Sequence, residues 1–311
     1  MPTFTALAPR LSLLKYYILR IFIGSFYRSV SKLAPNLLEL NSFFLRMQIQ
    51  REPLDTCFFR LFLQVFDLTL IDFGANHGEF TTAALPSRDS TAKLIDANYE
   101  LQKRTKKRVE KLGFFNLDFI SGCVGADHTK SLYLCFEKSH TGAAEVTSDF
   151  HLYKSRGCIC EPVNSLSPHD YIDKRIKYAA KIDIEGLELD LLKELWTAQY
   201  LSSILIVGVE ATYSSQLRSI YNHLAEFEFV LYASNHLWYT GSSLIDQFSC
   251  CYANIVNNRF DLKPRNLSDV ALSCPFSMVY FINKRLLECS LASKSRTTTR
   301  ILHQDFWGVT N

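Results

Sequence analysis

The sequence has little of what marks disordered, fibrous or nucleic-acid-binding chains. Only 12 glycines and 9 prolines occur among 311 residues, which excludes collagen-like and low-complexity chains. Hydrophobic residues make up 48% of the chain, so it is not mainly disordered and can bury roughly three quarters of its unfolded surface. The net charge is only +3, so overall charge does not predict a nucleic-acid partner. We expect one large domain or two small ones.

The nine cysteines do not have the spacing of a zinc site. Cys158 and Cys160 are separated by one residue and Cys250 adjoins Cys251, whereas common zinc sites use a CxxC separation. No secretory signal with a small-residue cleavage site is evident. We therefore expect a cytoplasmic protein without a metal site, in which most thiols are reduced and buried.

The first 38 residues contain no Asp or Glu. Five basic residues lie there: Arg10, Lys15, Arg20, Arg28 and Lys32. The apolar stretch between them is interrupted at Arg20 and is shorter than the roughly 18 apolar residues that a membrane-spanning helix needs. Three interpretations of this segment stay open: a helical extension packed on the main domain, a basic amphipathic helix giving peripheral membrane contact through residues 1–40, and a cleaved transit segment.

From Leu68 onward, short apolar runs alternate with amphipathic stretches. The predicted strands are Leu68–Phe73, Ala92–Ala97, Leu117–Val124, Ser131–Phe136, Ala179–Ile184, Ile204–Glu210, Phe227–Ala233 and Met278–Asn283. The predicted helices are Glu100–Leu112, Leu187–Trp196 and Ser214–Glu226. Strands that are apolar nearly throughout and alternate with helices predict a parallel sheet covered on both faces. This is an α/β doubly wound domain.

The sharpest motif, LIDFGANHGEF, spans Leu70–Phe80, at and directly after the first predicted strand. Asp72 lies at the end of this strand, and Gly74 and Gly78 lie four residues apart where a helix is expected to begin. The spacing matches neither the dinucleotide motif GxGxxG nor the P-loop. An acid in this turn would repel a pyrophosphate but suits an ammonium or hydroxyl group. The motif therefore favours a ligand such as S-adenosylmethionine, which has a cationic amino-acid end and no phosphate.

A second acid, Asp96, ends the second predicted strand, 22 residues beyond Gly74. In nucleoside-binding α/β proteins, an acid at this place accepts hydrogen bonds from both ribose hydroxyls. The alternative is that Asp96 is a solvated carboxylate at a strand end, without a ligand. Together with the glycine turn, Asp96 indicates a nucleoside site.

A third motif, KIDIEG, spans Lys181–Gly186. Strand alternation predicts that Lys181, Asp183 and Glu185 lie on one side, at the strand end where ligands of open α/β sheets bind. A helix N-terminus with acids complementing its dipole would explain Glu185 and Glu188 without a function. It does not explain Lys181 and Asp183 in a buried strand, where an unpaired charge is costly.

Together these segments resemble the FkbM-type methyltransferases, which use S-adenosylmethionine. The matching segments are Ile71–Gly78, Asn116–Asp127, Lys181–Gly186 and Glu210, in similar order and spacing. The resemblance implies a class I methyltransferase (Rossmann-like) fold with a seven-stranded, mostly parallel sheet and an antiparallel last strand. The methyltransferase domain would span residues 51–289, between a helical N-terminal extension (1–50) and a C-terminal tail (290–311).

The resemblance also implies roles for individual residues. The cofactor's methionine end would be framed by Asp72, Gly74, Asn76 and Gly78, its ribose held by Asp96, and its adenine faced by residues near Cys123 and Asp127. Asp183 and Glu185 would line the reaction centre, with Glu210 beside them. One departure concerns the second strand, where the family usually has Glu-Pro and this chain has Asp96 followed by Ala97, so the acid is one carbon shorter.

The leading hypothesis is an O-methyltransferase acting on a hydroxyl of a sugar, glycan, lipid-linked saccharide or other natural-product-like acceptor. Glu185 or Asp183 would remove the hydroxyl proton, and His140 is a further candidate base. The alternatives are a catalytically degenerate methyltransferase-fold binding module and a nicotinamide-dependent oxidoreductase. The absence of GxGxxG after the first strand argues against the oxidoreductase. The expected partner is a small-molecule or glycan acceptor, and no nucleic acid is expected.

Two clusters have competing interpretations. Six basic residues on the predicted helix Glu100–Leu112 are typical of a solvated face, with an RNA or acidic-lipid patch as the alternative. The aromatic group Trp238, Tyr239, Phe248 and Tyr252 would form either an acceptor pocket or a satellite core.

Overall fold

The structure is a computed structural model that describes residues 53–126, 129–137, 140–197, 199–211, 214–234, 262–264, 267 and 277–292. The predicted N-terminal extension, Asp127 and the aromatic group around Trp238 lie outside these residues. None of the helices in the described ranges combines the length and apolar character needed to cross a bilayer.

Helices and strands alternate along most of the chain. The helices are α1 (Pro53–Phe66), α2 (Glu79–Ala84), α3 (Tyr99–Lys111), α4 (Phe150–Ser155), α5 (Glu188–Thr197), α6 (Ser214–Ala225) and α7 (Lys284–Ala292). The strands are β1 (Thr69–Phe73), β2 (Ala92–Asp96), β3 (Leu117–Ser121), β4 (Leu132–Glu137), β5 (His140–Thr147), β6 (Ile159–Val163), β7 (Tyr178–Ile182), β8 (Ile204–Ala211), β9 (Phe229–Ser234), β10 (Leu262–Pro264) and β11 (Ser277–Asn283). All eight predicted strands and all three predicted helices are present.

The main sheet has the strand order β10-β9-β11-β8-β7-β1-β2-β3. Strands β3, β2, β1, β7 and β8 pair in parallel, whereas β11 pairs antiparallel with both of its neighbours, β8 and β9. This arrangement confirms the predicted class I methyltransferase fold, in which the last strand runs antiparallel. The short strand β10 was not predicted and adds an eighth strand at the edge beside β9.

Both faces of the sheet are covered, as the apolar strands predicted. Side chains of α1, α2, α3 and α7 belong to one buried cluster, and side chains of α5 and α6 belong to another. Side chains of β1 point alternately to the two faces, so Leu70 lies in the first cluster and Ile71 and Phe73 lie in the second. Helix α1 was not predicted; its Phe58 and Phe59 are fully buried, each worth about 1.5–3 kcal/mol of burial.

Strands β4, β5 and β6 form a separate antiparallel sheet in the order β5-β4-β6. Cys135 on β4 and Cys160 on β6 are register partners and are joined by a disulfide. This disulfide was not predicted, because the pairing depends on the register of two strands that are distant in the sequence. Cys123, Cys158 and Cys289 are free thiols.

Candidate functional site

The acidic residues singled out in the sequence lie at or just beyond the ends of neighbouring strands, at one edge of the main sheet. Phe73 on β1 is the register partner of Ile95 on β2 and of Ile182 on β7, and Ile182 is in turn the partner of Val209 on β8. The next residues along these four parallel strands are Gly74, Asp96, Asp183 and Glu210. They form a row at the carboxyl edge, where open α/β sheets bind their ligands. We call this row the carboxyl-edge site.

Gly74 is required by the packing of two chain segments within this row. Its φ is +74°, and a Cβ added there would lie 1.8 Å from the backbone oxygen of Asp183. The Asp183 amide in turn donates to the Phe73 carbonyl at 3.1 Å. The sequence analysis predicted that this glycine frames the methionine end of the cofactor. In the structure, its missing side chain lets the backbone after β1 contact the backbone after β7.

A group of three charges, of which Asp72 and Lys181 are buried and Asp183 is half-buried, connects the ends of β1 and β7. The Lys181 ammonium lies 3.3 Å from Oδ1 of Asp72 and 3.0 Å from Oδ2 of Asp183, and it donates to the Gly74 carbonyl at 3.2 Å. Asp72 is fully buried, and its Oδ2 accepts a 2.6 Å hydrogen bond from the Thr81 hydroxyl. Its Oδ1 has no hydrogen-bond partner among the described residues and faces the ammonium instead. The predicted association of Lys181 with Asp183 is therefore present, and Asp72 completes an ionic triad.

Asp96 is held by backbone amides on both of its carboxylate oxygens. Oδ2 accepts from the Asn76 amide at 2.8 Å, and Oδ1 accepts from the Asn98 amide at 2.8 Å. Burial raises the pKa of the Asp96 carboxyl above its ordinary value of 3.8, against the lowering effect of these two hydrogen bonds and of the Lys181 charge. Each oxygen keeps a further lone pair for a ligand donor.

Asn76 supplies an unpartnered acceptor next to Asp96. Its backbone lies in the left-handed region, with φ +47°, and its carbonyl accepts a 3.0 Å hydrogen bond from the Thr105 hydroxyl. The side-chain Oδ1 is buried and has no hydrogen-bond partner among the described residues. Because leaving a buried polar atom unpaired costs about 1–3 kcal/mol, this oxygen indicates a place for a ligand donor.

Gly78 and Cys123 are both enclosed by neighbouring parts of the protein. A Cβ on Gly78 would lie 2.9 Å from a methyl group of Thr105, so this glycine allows α3 to pack on the turn before α2. Cys123 is buried, and burial together with the nearby Glu194 carboxylate raises the pKa of its thiol to about 12. Gly122, next to it, donates to the Asp96 carbonyl at 3.0 Å. The roles of Gly78 and Cys123 towards a cofactor stay predictions.

Strand β7 ends at Ile182, two residues earlier than predicted, so strand alternation does not extend to Glu185. This residue lies instead in a turn with φ +54°, and its side chain is exposed. A non-glycine residue in the left-handed region costs about 1–3 kcal/mol and is found preferentially at functional sites. The predicted position of Glu185 on the strand face is therefore wrong, whereas its place just beyond the carboxyl edge is retained.

Glu188 supports this turn and was not predicted as a site residue. It is 3% exposed. Its Oε1 accepts from the amides of Ile184 and Gly186 at 3.3 and 3.0 Å, and its Oε2 accepts from the Gln216 side chain at 2.6 Å. An acid in the first turn of a predicted helix was the available signal.

Replacing Glu188 with alanine is expected to lower the free energy of unfolding by about 2–3 kcal/mol, because two backbone amides and one side-chain amide lose a charged acceptor that is itself buried. Asp190→Ala is the matched control in the same helical turn. Asp190 is exposed, and its carboxylate lies 3.8 Å from the Lys193 ammonium. That surface pair is worth about 0–1 kcal/mol. Urea unfolding measures both losses, and equal losses would contradict the assigned role of Glu188.

The other predicted residues divide between described and undescribed parts of the chain. Glu210 lies on β8 opposite Met278 of β11 and is half-buried. His140 begins β5, where it is the register partner of Glu137. Asp127 lies outside the described residues, so its predicted role near adenine stays a prediction. The described ranges contain no group of three or more His, Cys, Asp or Glu side chains arranged to hold a metal ion.

No family model and no curated protein matches the chain. Its fold is similar to solved structures of methyltransferases. A SAM-dependent O-methyltransferase from Thermotoga maritima is 10% identical, with a TM-score of 0.38, over 74% of this chain and 65% of that one. The plantazolicin methyltransferase BamL, solved with SAH, is 12% identical, with a TM-score of 0.37, over 90% and 99% of the two chains. The precorrin-6y C5,15-methyltransferase of Geobacter metallireducens is 8% identical, with a TM-score of 0.33, over 71% and 84%. At these values no residue role is transferred from them.

Proposed function

We propose that this protein is a methyltransferase that uses S-adenosylmethionine. The observation that carries the proposal is the pair of acceptors at the carboxyl-edge site, the Asp96 carboxylate and the buried, unpartnered Oδ1 of Asn76. A nucleoside with two ribose hydroxyls and an ammonium group supplies donors for such acceptors. A dinucleotide would instead require donors for its pyrophosphate, and the lysine of this site is already held by two carboxylates.

The residues at the site fit the cofactor's two ends. Asp96 would accept hydrogen bonds from the ribose hydroxyls through the lone pairs that its backbone partners leave open. Asn76 Oδ1 would accept from the amino group of the methionine end. The triad of Asp72, Lys181 and Asp183 fixes the ends of β1 and β7, so that these acceptors are positioned before a ligand arrives. When bound, S-adenosylmethionine supplies a methyl group on a positively charged sulfur.

We further propose that the acceptor is a hydroxyl group of a sugar, glycan, lipid-linked saccharide or similar natural product. The FkbM-type sequence motifs support this class of acceptor, and the exposed acid Glu185 supports the chemistry. An alcohol needs a base that takes its proton as the new bond forms, which contributes about 10²–10⁴-fold to the rate. We assign this role to Glu185 because it is exposed in the turn just beyond the carboxyl edge, whereas the Asp183 carboxylate contacts the Lys181 ammonium at 3.0 Å.

The Glu185→Gln variant tests this proposal. We expect methyl transfer from radiolabelled S-adenosylmethionine to the best substrate in a panel of saccharide and polyol acceptors to fall at least about a hundredfold. Its affinity for S-adenosylhomocysteine should stay within about threefold of that of the unaltered protein. Glu161→Gln, on exposed β6, is the control and should change neither quantity.

Each other outcome has a distinct meaning. Equal losses of cofactor affinity and turnover would mean that Glu185 holds the cofactor or the fold. Cofactor binding by the unaltered protein without transfer to any acceptor of the panel would favour the degenerate binding module over the enzyme.

A further inference from the structure

We propose that the exposed face of helix α3 binds the headgroups of anionic phospholipids at a membrane surface. The helix carries six basic side chains and two acidic ones, a net charge of +4, whereas the whole 311-residue chain has a net charge of only +3. A group of four to eight Lys and Arg residues on one amphipathic helix is typical of surfaces that bind anionic lipids.

The packing of α3 determines which side of the helix is exposed. The buried residues of α3 are Leu101, Gln102, Thr105 and Val109, so the helix cannot rotate without losing its packing. Lys103, Lys107 and Lys111 recur every four residues and therefore lie along one side. All three are exposed, as are Arg104 and Lys106. None of these five basic residues has an ion-pair partner within the described ranges, whereas Arg108 pairs with Glu79 at 3.1 Å.

Exposed aromatic residues lie at both ends of helix α3. Tyr99, the first residue of α3, precedes Lys103 by one helical turn and is 62% exposed. Phe115 follows the helix and is 75% exposed, the largest exposed fraction among the large hydrophobic residues described. Aromatic side chains at the edge of a basic surface are typical of the interface between lipid headgroups and acyl chains.

The distribution of charge favours a lipid surface over a nucleic acid. The basic face is one helix wide and about 20 Å long for 13 residues. Acidic residues occur on the face itself and around it: Glu100 and Glu110 on α3, Glu79 on α2, and Asp89 and Asp118 on neighbouring segments. A continuous phosphate backbone needs a longer positive tract, whereas separate lipid headgroups can arrange themselves around a compact one.

The proposed surface begins at the carboxyl-edge site. The Asn98 side chain caps α3 by accepting from the Leu101 amide at 2.9 Å, and its own amide donates to Asp96. Tyr99 is thus three residues from Asp96. If the proposed function holds, membrane contact through α3 would bring the site close to lipid-linked acceptors. The binding of lipid itself does not depend on that function.

Co-sedimentation of the full chain with vesicles tests the proposal, at about 0.1 M salt to limit non-specific attraction. The vesicles contain phosphatidylcholine alone or with about one third phosphatidylserine. Binding is expected only to the anionic vesicles. Since each basic residue near such a surface contributes about fivefold, the triple variant Lys103→Gln, Lys107→Gln, Lys111→Gln should bind about a hundredfold more weakly.

A control variant separates the effect of this face from that of overall charge, a second variant tests the exposed aromatic residue, and the folding of each is verified. The variant Lys154→Gln, Lys193→Gln, Arg218→Gln removes the same charge from exposed residues on α4, α5 and α6 and should keep nearly full binding. The single variant Phe115→Ser should weaken binding several-fold without changing the net charge. Circular dichroism and the melting temperature verify that each variant is folded.

Three results would overturn the proposal. The first is no preference of the unaltered protein for anionic vesicles, and the second is equal binding by the α3 variant, which would place lipid contact elsewhere. The third is tighter binding to a single-stranded RNA 20-mer than to vesicles, lost in the α3 variant, which would assign the face to nucleic acid.

Discussion

Replacing Lys181 with methionine is expected to lower the free energy of unfolding by about 3–5 kcal/mol. Lys181 is only 5% exposed, and its ammonium is the shared partner of Asp72 and Asp183. Methionine fills a similar volume but leaves the fully buried Asp72 without its counter-ion. Breaking one side of a buried ion pair is costly because the remaining charge keeps its desolvation penalty.

Two further variants make this prediction specific. Lys193→Met is the matched control, because Lys193 is exposed and lies 3.8 Å from Asp190, a surface pair worth about 0–1 kcal/mol. In the Lys181→Met background, Asp72→Asn should recover part of the loss, since the amide oxygen can still accept from Thr81. Denaturant unfolding gives all these values. A loss at Lys181 no larger than that at Lys193 would mean that the triad does not stabilise the site.

Replacing Gly74 with alanine is expected to cost about 3–5 kcal/mol of stability and to abolish cofactor binding. The added Cβ would lie 1.8 Å from the Asp183 carbonyl oxygen, so one of the two backbone segments must move. Overpacking typically costs about 1–3 kcal/mol, and the left-handed backbone adds a similar amount for a residue with a side chain. The movement would also displace the neighbouring acceptors of the carboxyl-edge site.

Gly157 offers a control for the backbone contribution alone. Its φ is +81°, close to that of Gly74, but a Cβ there would meet nothing within 4 Å. Gly157→Ala should therefore cost only the backbone contribution, about 1–2 kcal/mol. The difference between the two variants in unfolding experiments measures the backbone contact. Similar losses at both positions would show that the contact with Asp183 is unimportant.

The main sheet could be predicted because its strands are buried on both faces. Continuous apolar runs such as Ile204–Ala211 are distinctive in a sequence. Strand β6 (Ile159–Val163) is mostly exposed and contains a proline, so it lacks that signal. The pairing of Cys135 with Cys160 depends on long-range register, which no local pattern encodes.

The site was predictable to the extent that it depends on strand ends. Asp96 and Asp183 follow apolar runs, and parallel strands bring such ends to one edge. The turn at Glu185 was missed because strand alternation was extended to that residue, three residues beyond the end of β7. The unpartnered oxygen of Asn76 depends on the direction of one side chain, which no local sequence pattern encodes. Glu188 and Asn98 lie at the starts of α5 and α3, where acids and Asn are typical helix-start residues, and neither was predicted as a site residue.

Calorimetric titration with S-adenosylhomocysteine, on the unaltered protein and on Asp96→Ala, tests the central claim most directly. We predict micromolar binding that weakens at least about a hundredfold in the variant, since two hydrogen bonds to a charged group are lost. Asp118→Ala, which removes an exposed acid from neighbouring β3, should bind as tightly as the unaltered protein. A folded, unaltered protein that does not bind S-adenosylhomocysteine, or binding that Asp96→Ala leaves intact, would contradict the assignment of this site.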